Sequence, residues 1–174
     1  MTRLIPKPQP GEFAPYTTMY IDLIPDDGRV LEHLETNLQA ALALARSYPE
    51  ARLVEPCAPA EWTIKEILVH VIDDERIFAY RALRFARNDT TELPGFEQDE
   101  YVPESRANER DLENILAEYV SVRQATLTLY RSFNDDVWTR QGIGSGNPLS
   151  VRAAIYHIAG HELHHLESIK ENYA

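Results

Sequence analysis

Cysteine is almost missing from this chain of 174 residues, which carries one, Cys57. A single thiol excludes an intramolecular disulfide and fits a reducing compartment better than secretion. Cys57 itself reads as a small buried residue or an ordinary loop position. Basic charge is also scarce, with 17 Lys and Arg against 28 Asp and Glu and a net charge of −11. Such a surface repels phosphate backbones and anionic lipid, which argues against nucleic-acid and membrane-surface partners. No apolar run approaches the length of a membrane span, and the opening "MTRLIPKPQPGEF" lacks the apolar core of a signal peptide. These absences together predict a soluble, cytoplasmic protein. There is no segment with the polar–apolar alternation of a half-buried strand, and no repeat, low-complexity tract or linker divides residues 1–174, which read as one domain.

What is present is proline at the start and helical periodicity after it. Pro6, Pro8, Pro10, Pro15 and Pro25 each fix φ and remove a backbone donor, so residues 1–25 predict an extended arm with at most a short helical turn. Phe13, Tyr16, Met19, Tyr20 and Ile21 are too apolar for a solvated tail, and place the arm on the domain or on a partner subunit. Four long segments then repeat with the helical period. The first runs from Val30 to about Ser47, with Asp26 or Asp27 as its cap. The second opens on a capping box, Thr63 and Glu66, and runs to about Arg87. The third spans about Ala107 to Phe133. The fourth follows the glycine-rich loop "GIGSGNPLS", takes Ser150 as cap and ends near Asn172. Four amphipathic helices bury their stripes most simply against one another, so the predicted fold is an all-α four-helix bundle with a Pro-rich N-terminal arm. The connections 48–62 and 88–105 are long for a bundle, and long connections often lie across an opening.

Near the C-terminus, "HIAGHELHH" packs four histidines into residues 157–165. At about 100° per residue, with His157 at zero, His161 lies near 40°, His165 near 80° and His164 near −20°. The apolar stripe of this helix centres near roughly 140°, so His165 and His161 lie closest to it, while His157 and His164 fall towards solvent. His161 and His165 are one turn apart and able to converge on one ion. A catalytic site needs a third protein ligand, and His70 in "ILVHVIDDE" flanks the core side of the second helix in a matching position. The bland alternative is a core-edge histidine bonded to a carboxylate and a solvated histidine face. His33 reads as a surface residue.

Two motifs at bundle spacing, "EWTIKEILVHVIDDERIFAYRALRFARND" and "LSVRAAIYHIAGHELHHLESI", resemble the DinB-like superfamily over nearly the whole chain from about Tyr20. The resemblance implies a four-helix bundle, frequent homodimers and a divalent metal, nickel or zinc foremost and iron next. Carried over by position, the metal ligands are His70, His161 and His165. Some branches of that family are transferases or isomerases that use a low-molecular-weight thiol such as bacillithiol or mycothiol.

The expected function is therefore a metal-dependent hydrolase or thiol-dependent transferase acting on a small molecule. The alternative is a non-catalytic dimeric binding or stress-response module with a weak or vestigial metal site. Asp74, one turn after His70, is a candidate base or imidazole-orienting group, set against a plain solvent-facing acid. Glu75 points to the middle of its apolar stripe, where an unpaired carboxylate is costly, and an ion pair with Arg123 or Arg81 is expected. Trp62 reads as a hydrophobic staple or as an aromatic rim.

Overall fold

In the computed structural model, which describes residues 4–173, the elements follow in the order α1 (Thr18–Ile21), α2 (Val30–Arg46), α3 (Glu50–Leu53), α4 (Ile64–Ala86), α5 (Gln98–Glu104), α6 (Leu112–Arg131), β1 (Gln141–Gly144), β2 (Asn147–Ser150) and α7 (Val151–Asn172). The long helices α2, α4, α6 and α7 form a four-helix bundle. Local signals start two of them. The Thr63 hydroxyl accepts the Glu66 N–H at 3.2 Å and the Glu66 carboxylate accepts the Thr63 N–H at 2.8 Å, which satisfies two donors of the first turn of α4. Ser150 accepts the Ala153 N–H at 3.0 Å and starts α7. Among the described residues, no helix is long and apolar enough to cross a membrane.

Other expectations need correction. Asp26 and Asp27 do not cap α2, because Gly28 at φ 72° carries the chain past them and Arg29 occupies the cap position without a side-chain bond. Asp27 instead accepts the Arg29 N–H at 2.8 Å and bonds His33 Nε2 at 3.0 Å. The third long segment starts later than its pattern suggests, since Ala107–Glu109 is a separate 3-10 turn and Asp111 is extended ahead of α6. The glycine-rich loop is a β-hairpin, with Gln141 opposite Ser150 and Gly144 opposite Asn147. β1 alternates in burial, but its buried positions are Gly142 and Gly144, so no apolar side chain marks the alternation in the sequence; Ser145 and Gly146 take positive φ, as a two-residue hairpin turn requires. The long connection after α4 is tied to this hairpin, the Leu93 N–H donating to Ile143 O at 2.9 Å and the Ser145 N–H to Leu93 O at 3.0 Å. Arg81 donates to Pro94 O and to Ser145 Oγ, so it is not the partner of Glu75.

That partner is Arg123. Its Nη2 lies 2.9 Å from Glu75 Oε2 and 2.9 Å from Glu162 Oε1, and its Nη1 donates to Leu34 O. The Tyr119 hydroxyl donates to Glu162. This buried network divides the core in two. One apolar cluster contains Leu34, Phe78, Leu127 and Ala159, and the other contains Leu38, Ile72, Val122 and Leu166. On α4, α6 and α7 the network residue falls between the members of the two clusters.

The arm folds back onto its own bundle. A 3-10 turn, Pro15–Thr17, leads into α1, which packs on α7, while Ile5, Phe13, Ile21 and Ile24 are buried. The Tyr156 hydroxyl donates to Ile5 O at 2.8 Å and Lys7 Nζ to Ile24 O at 2.8 Å. Glu12 accepts from Ser150 Oγ at 2.7 Å and from Arg152 Nε at 2.8 Å. Burial raises the Glu12 carboxyl, but the bonds from Arg152, Ser150 and the Gln9 N–H outweigh it and hold it below its ordinary value. A carboxyl lowered on folding contributes stability above its unfolded value, about 4.3 for Glu, and that contribution is lost as pH falls through the folded value. Amide exchange in the arm should therefore rise relative to the bundle below about pH 4. Glu12→Gln should remove most of this dependence, and an unchanged acid profile in that variant would refute the assignment.

Candidate metal centre

The site is built from two helices by their period. On α4, His70 and Asp74 stand one turn apart on one face; on α7, His157, His161 and His165 do the same over two turns. Packing α4 on α7 brings the two rows together. His161 Nε2 lies 3.0 Å from His70 Nε2 and 3.1 Å from His165 Nε2. On a tetrahedral ion with metal–nitrogen bonds of about 2.0–2.1 Å, two ligand nitrogens stand about 3.3 Å apart. Both separations thus sit within a few tenths of an ångström of the spacing an ion would impose, and all three nitrogens lie within 4.8 Å of one another.

Electrostatics favour the same use. Burial pushes the imidazoles of His70 and His161 below their ordinary value, and only partly does Asp74 oppose this. Burial, with His70 and His164 adding to it, brings His165 down to about 3. All three are neutral at physiological pH and carry the lone pair that a cation needs.

Asp74 is buried, contrary to a solvent-facing acid. It accepts the His157 Nε2–H at 3.1 Å, and its Oδ2 lies 3.3 Å from His161 Nδ1. Burial raises its carboxyl, but His161 and His157 outweigh burial and keep it ionised, below the usual carboxylate range. A carboxylate at Nδ1 favours the proton there and leaves the His161 Nε2 lone pair facing His70 and His165. Asp74, His157 and His161 form a second group close enough to share an ion. In that group the His157 bond to Asp74 already uses the donor atoms, whereas the His70, His161 and His165 nitrogens face one another.

His157 does not point to solvent. It is 3% exposed, stacks on Phe78 with ring centroids 3.7 Å apart, and presents its edge to Tyr20. His164 is half-buried beside the same tyrosine. The wheel misplaces both because residues 153–162 of α7 are buried on every side, by the bundle on one and by the arm on the other. Tyr20, which the sequence did not single out, sets its ring 5.3 Å from His157, 5.2 Å from His161 and 5.4 Å from His164. Glu162 was missed as well, although it lies at the centre of the apolar stripe on the same wheel. Trp62 is a wall of the site, its ring 4.9 Å from that of His70. Beside it a cavity of about 550 Å³ reaches His165, with Tyr173, Glu61 and Asp99 among its walls and the exposed Cys57 at its edge.

Comparison with known proteins gives the following. The model of the DinB superfamily matches residues 33–169. YfiT from Bacillus subtilis, described as a "probable metal-dependent hydrolase with an unusual four-helix bundle topology", superposes with a TM-score of 0.68 at 18% identity, over 95% of this chain and 90% of that one. TT2238, described as a four-helix bundle protein, gives 0.61 at 23% identity, over 82% of this chain and 96% of that one. A mycothiol-dependent maleylpyruvate isomerase gives 0.67 at 9% identity, over 84% of this chain and 61% of that one. These likenesses establish a shared fold. No curated protein matches the sequence.

Proposed function

This chain belongs to the DinB superfamily, and from that membership we propose that it is a divalent-metal-dependent enzyme acting on a small molecule, as a hydrolase or a thiol-dependent transferase. One observation carries the reading: His70, His161 and His165 converge through neutral Nε2 atoms beside a cavity large enough for a small ligand. The descriptions of YfiT as a probable metal-dependent hydrolase and of the isomerase as mycothiol-dependent support it by analogy. The alternative of a non-catalytic module with a vestigial site calls for a filled bundle end or for histidines spent on carboxylates. Here Asp74 faces the Nδ1 side of His161, while its Nε2 faces those of His70 and His165 and no carboxylate.

Imidazole ligands suit nickel or zinc, and iron after them. When bound, such an ion supplies Lewis acidity, which brings the pKa of a water or thiol down towards neutrality and polarises an electrophile. The chain's own residues do the rest. Asp74 holds the proton on His161 Nδ1 and anchors His157, so it is a positioning residue and not the base. Phe78 fixes the plane of His157 by stacking. Trp62 and Tyr173 wall the cavity and exclude water from one side of it.

Metal content of untagged protein, purified without added metal and measured by mass spectrometry, tests the reading. Near-stoichiometric nickel, zinc or iron is expected in the wild type and none in His161→Ala. Asp74→Asn should keep the ligands and weaken metal affinity by about 10–100-fold, as loss of a ligand-orienting carboxylate does. A wild-type protein that is empty and takes up no metal in titration overturns the proposal.

A further inference from the structure

The cavity beside the histidines has charge of one sign. Two carboxylates, Glu61 and Asp99, stand in its wall, and among the described residues no lysine or arginine does. Asp99, in the first turn of α5, is near enough to act electrostatically on His70. Arg52, the cation that packs on Tyr173, is not among the wall residues: its Nε donates to Tyr173 O at 3.1 Å and its Nη1 faces Glu55 at 3.8 Å. With the ligand imidazoles neutral, an ion of charge +2 would be answered by Asp74, Glu61 and Asp99, and the region would remain net negative. Without the two wall acids it would be positive and would draw anions. The remaining walls include aromatic and aliphatic groups, Trp62, Tyr173 and Ile67, whose faces accept an apolar body, and indole faces attract cations.

We infer that this site takes a small molecule with an apolar body and an amino group that is ionised at neutral pH, its ammonium drawn to Glu61 and Asp99, and that it rejects carboxylates and phosphates of the same size. The inference deepens the metal-centre reading and rests on it for the reaction, but the charge selection is a property of the wall.

Benzylamine, benzyl alcohol and benzoate have one shape and three charges. Their affinities for the metal-free protein, measured by ligand-observed NMR at low ionic strength, should fall in that order. Two partly solvated charges at the wall predict about a tenfold span from amine to carboxylate, shrinking with added salt. Glu61→Gln with Asp99→Asn should bring the three within about twofold of one another; both side chains are exposed, and a circular-dichroism melt checks that the variant is folded. Equal affinities in the wild type, no binding of any probe at millimolar concentration, or an order that survives in the double variant each overturns the inference. Metal uptake by the wild type is measured in parallel. Charge order without metal uptake sinks the metal-centre reading and upholds the wall; metal uptake without charge order does the reverse.

Discussion

Arg123→Met should destabilise the protein by about 3–5 kcal/mol, the range for removing one partner of a buried ionic group. Arg123 is fully buried, as are Glu75 and Glu162. Burial alone would lower its pKa, but Glu162 and Glu75 outweigh burial and raise it, so the guanidinium stays charged between them. Its removal leaves two carboxylates in an apolar core, with the Leu34 carbonyl short of a donor. Glu162 is already pushed up by burial that Arg123 only partly offsets, and its Oε2 has no hydrogen-bond partner among the described residues. Urea unfolding followed by circular dichroism measures the loss. The triple variant Arg123→Met, Glu75→Leu, Glu162→Leu should recover most of it, because no charge remains uncompensated and the volumes are kept. A cost below about 1 kcal/mol for Arg123→Met alone would mean that the network does not hold the two halves of the core together.

Gly160→Ala should have the next largest effect, about 3 kcal/mol, at the upper end for overpacking. A Cβ at this position would lie 2.0 Å from the Tyr20 carbonyl oxygen and 2.4 Å from its carbon. These are backbone atoms, so no side-chain rotation relieves the clash. The arm must lift, and it is pinned to the bundle by Glu12 on Ser150 and Arg152 and by the Tyr156 hydroxyl on Ile5 O. Lifting it uncovers His157 and His161. Amide exchange should show the arm losing protection while the capping box of α4 keeps its own, and thermal unfolding should shift to lower temperature. If the arm keeps its wild-type protection in the variant, the close approach of Tyr20 to Gly160 is not what seats it.

The missed residues share a cause. Helical period tells which side chains share a face, and the capping box and Ser150 tell where a helix begins, because both are set within one or two turns of chain. So the bundle was legible, as was the placing of His70 and Asp74 on one face and His161 and His165 on another. The choice of Arg123 over Arg81 for Glu75 was not, since each lies on a plausible face and only the route of the 88–97 segment over the hairpin takes Arg81 away. Likewise the hairpin depends on its turn and on a bridge from Gly144 back to Leu93, a pairing far along the chain that no local pattern announces.

By itself the sequence determined the four helices, two of their caps, the one-turn spacing of the histidines and a negative surface, all of which follow from local backbone geometry or composition. Tertiary structure alone decided that His157 is buried, that Tyr20 covers the histidines, that Asp74 serves His161 and that Glu162 joins Arg123. Each of these depends on what packs against a face from far along the chain. The period of a helix carries no information about its cover.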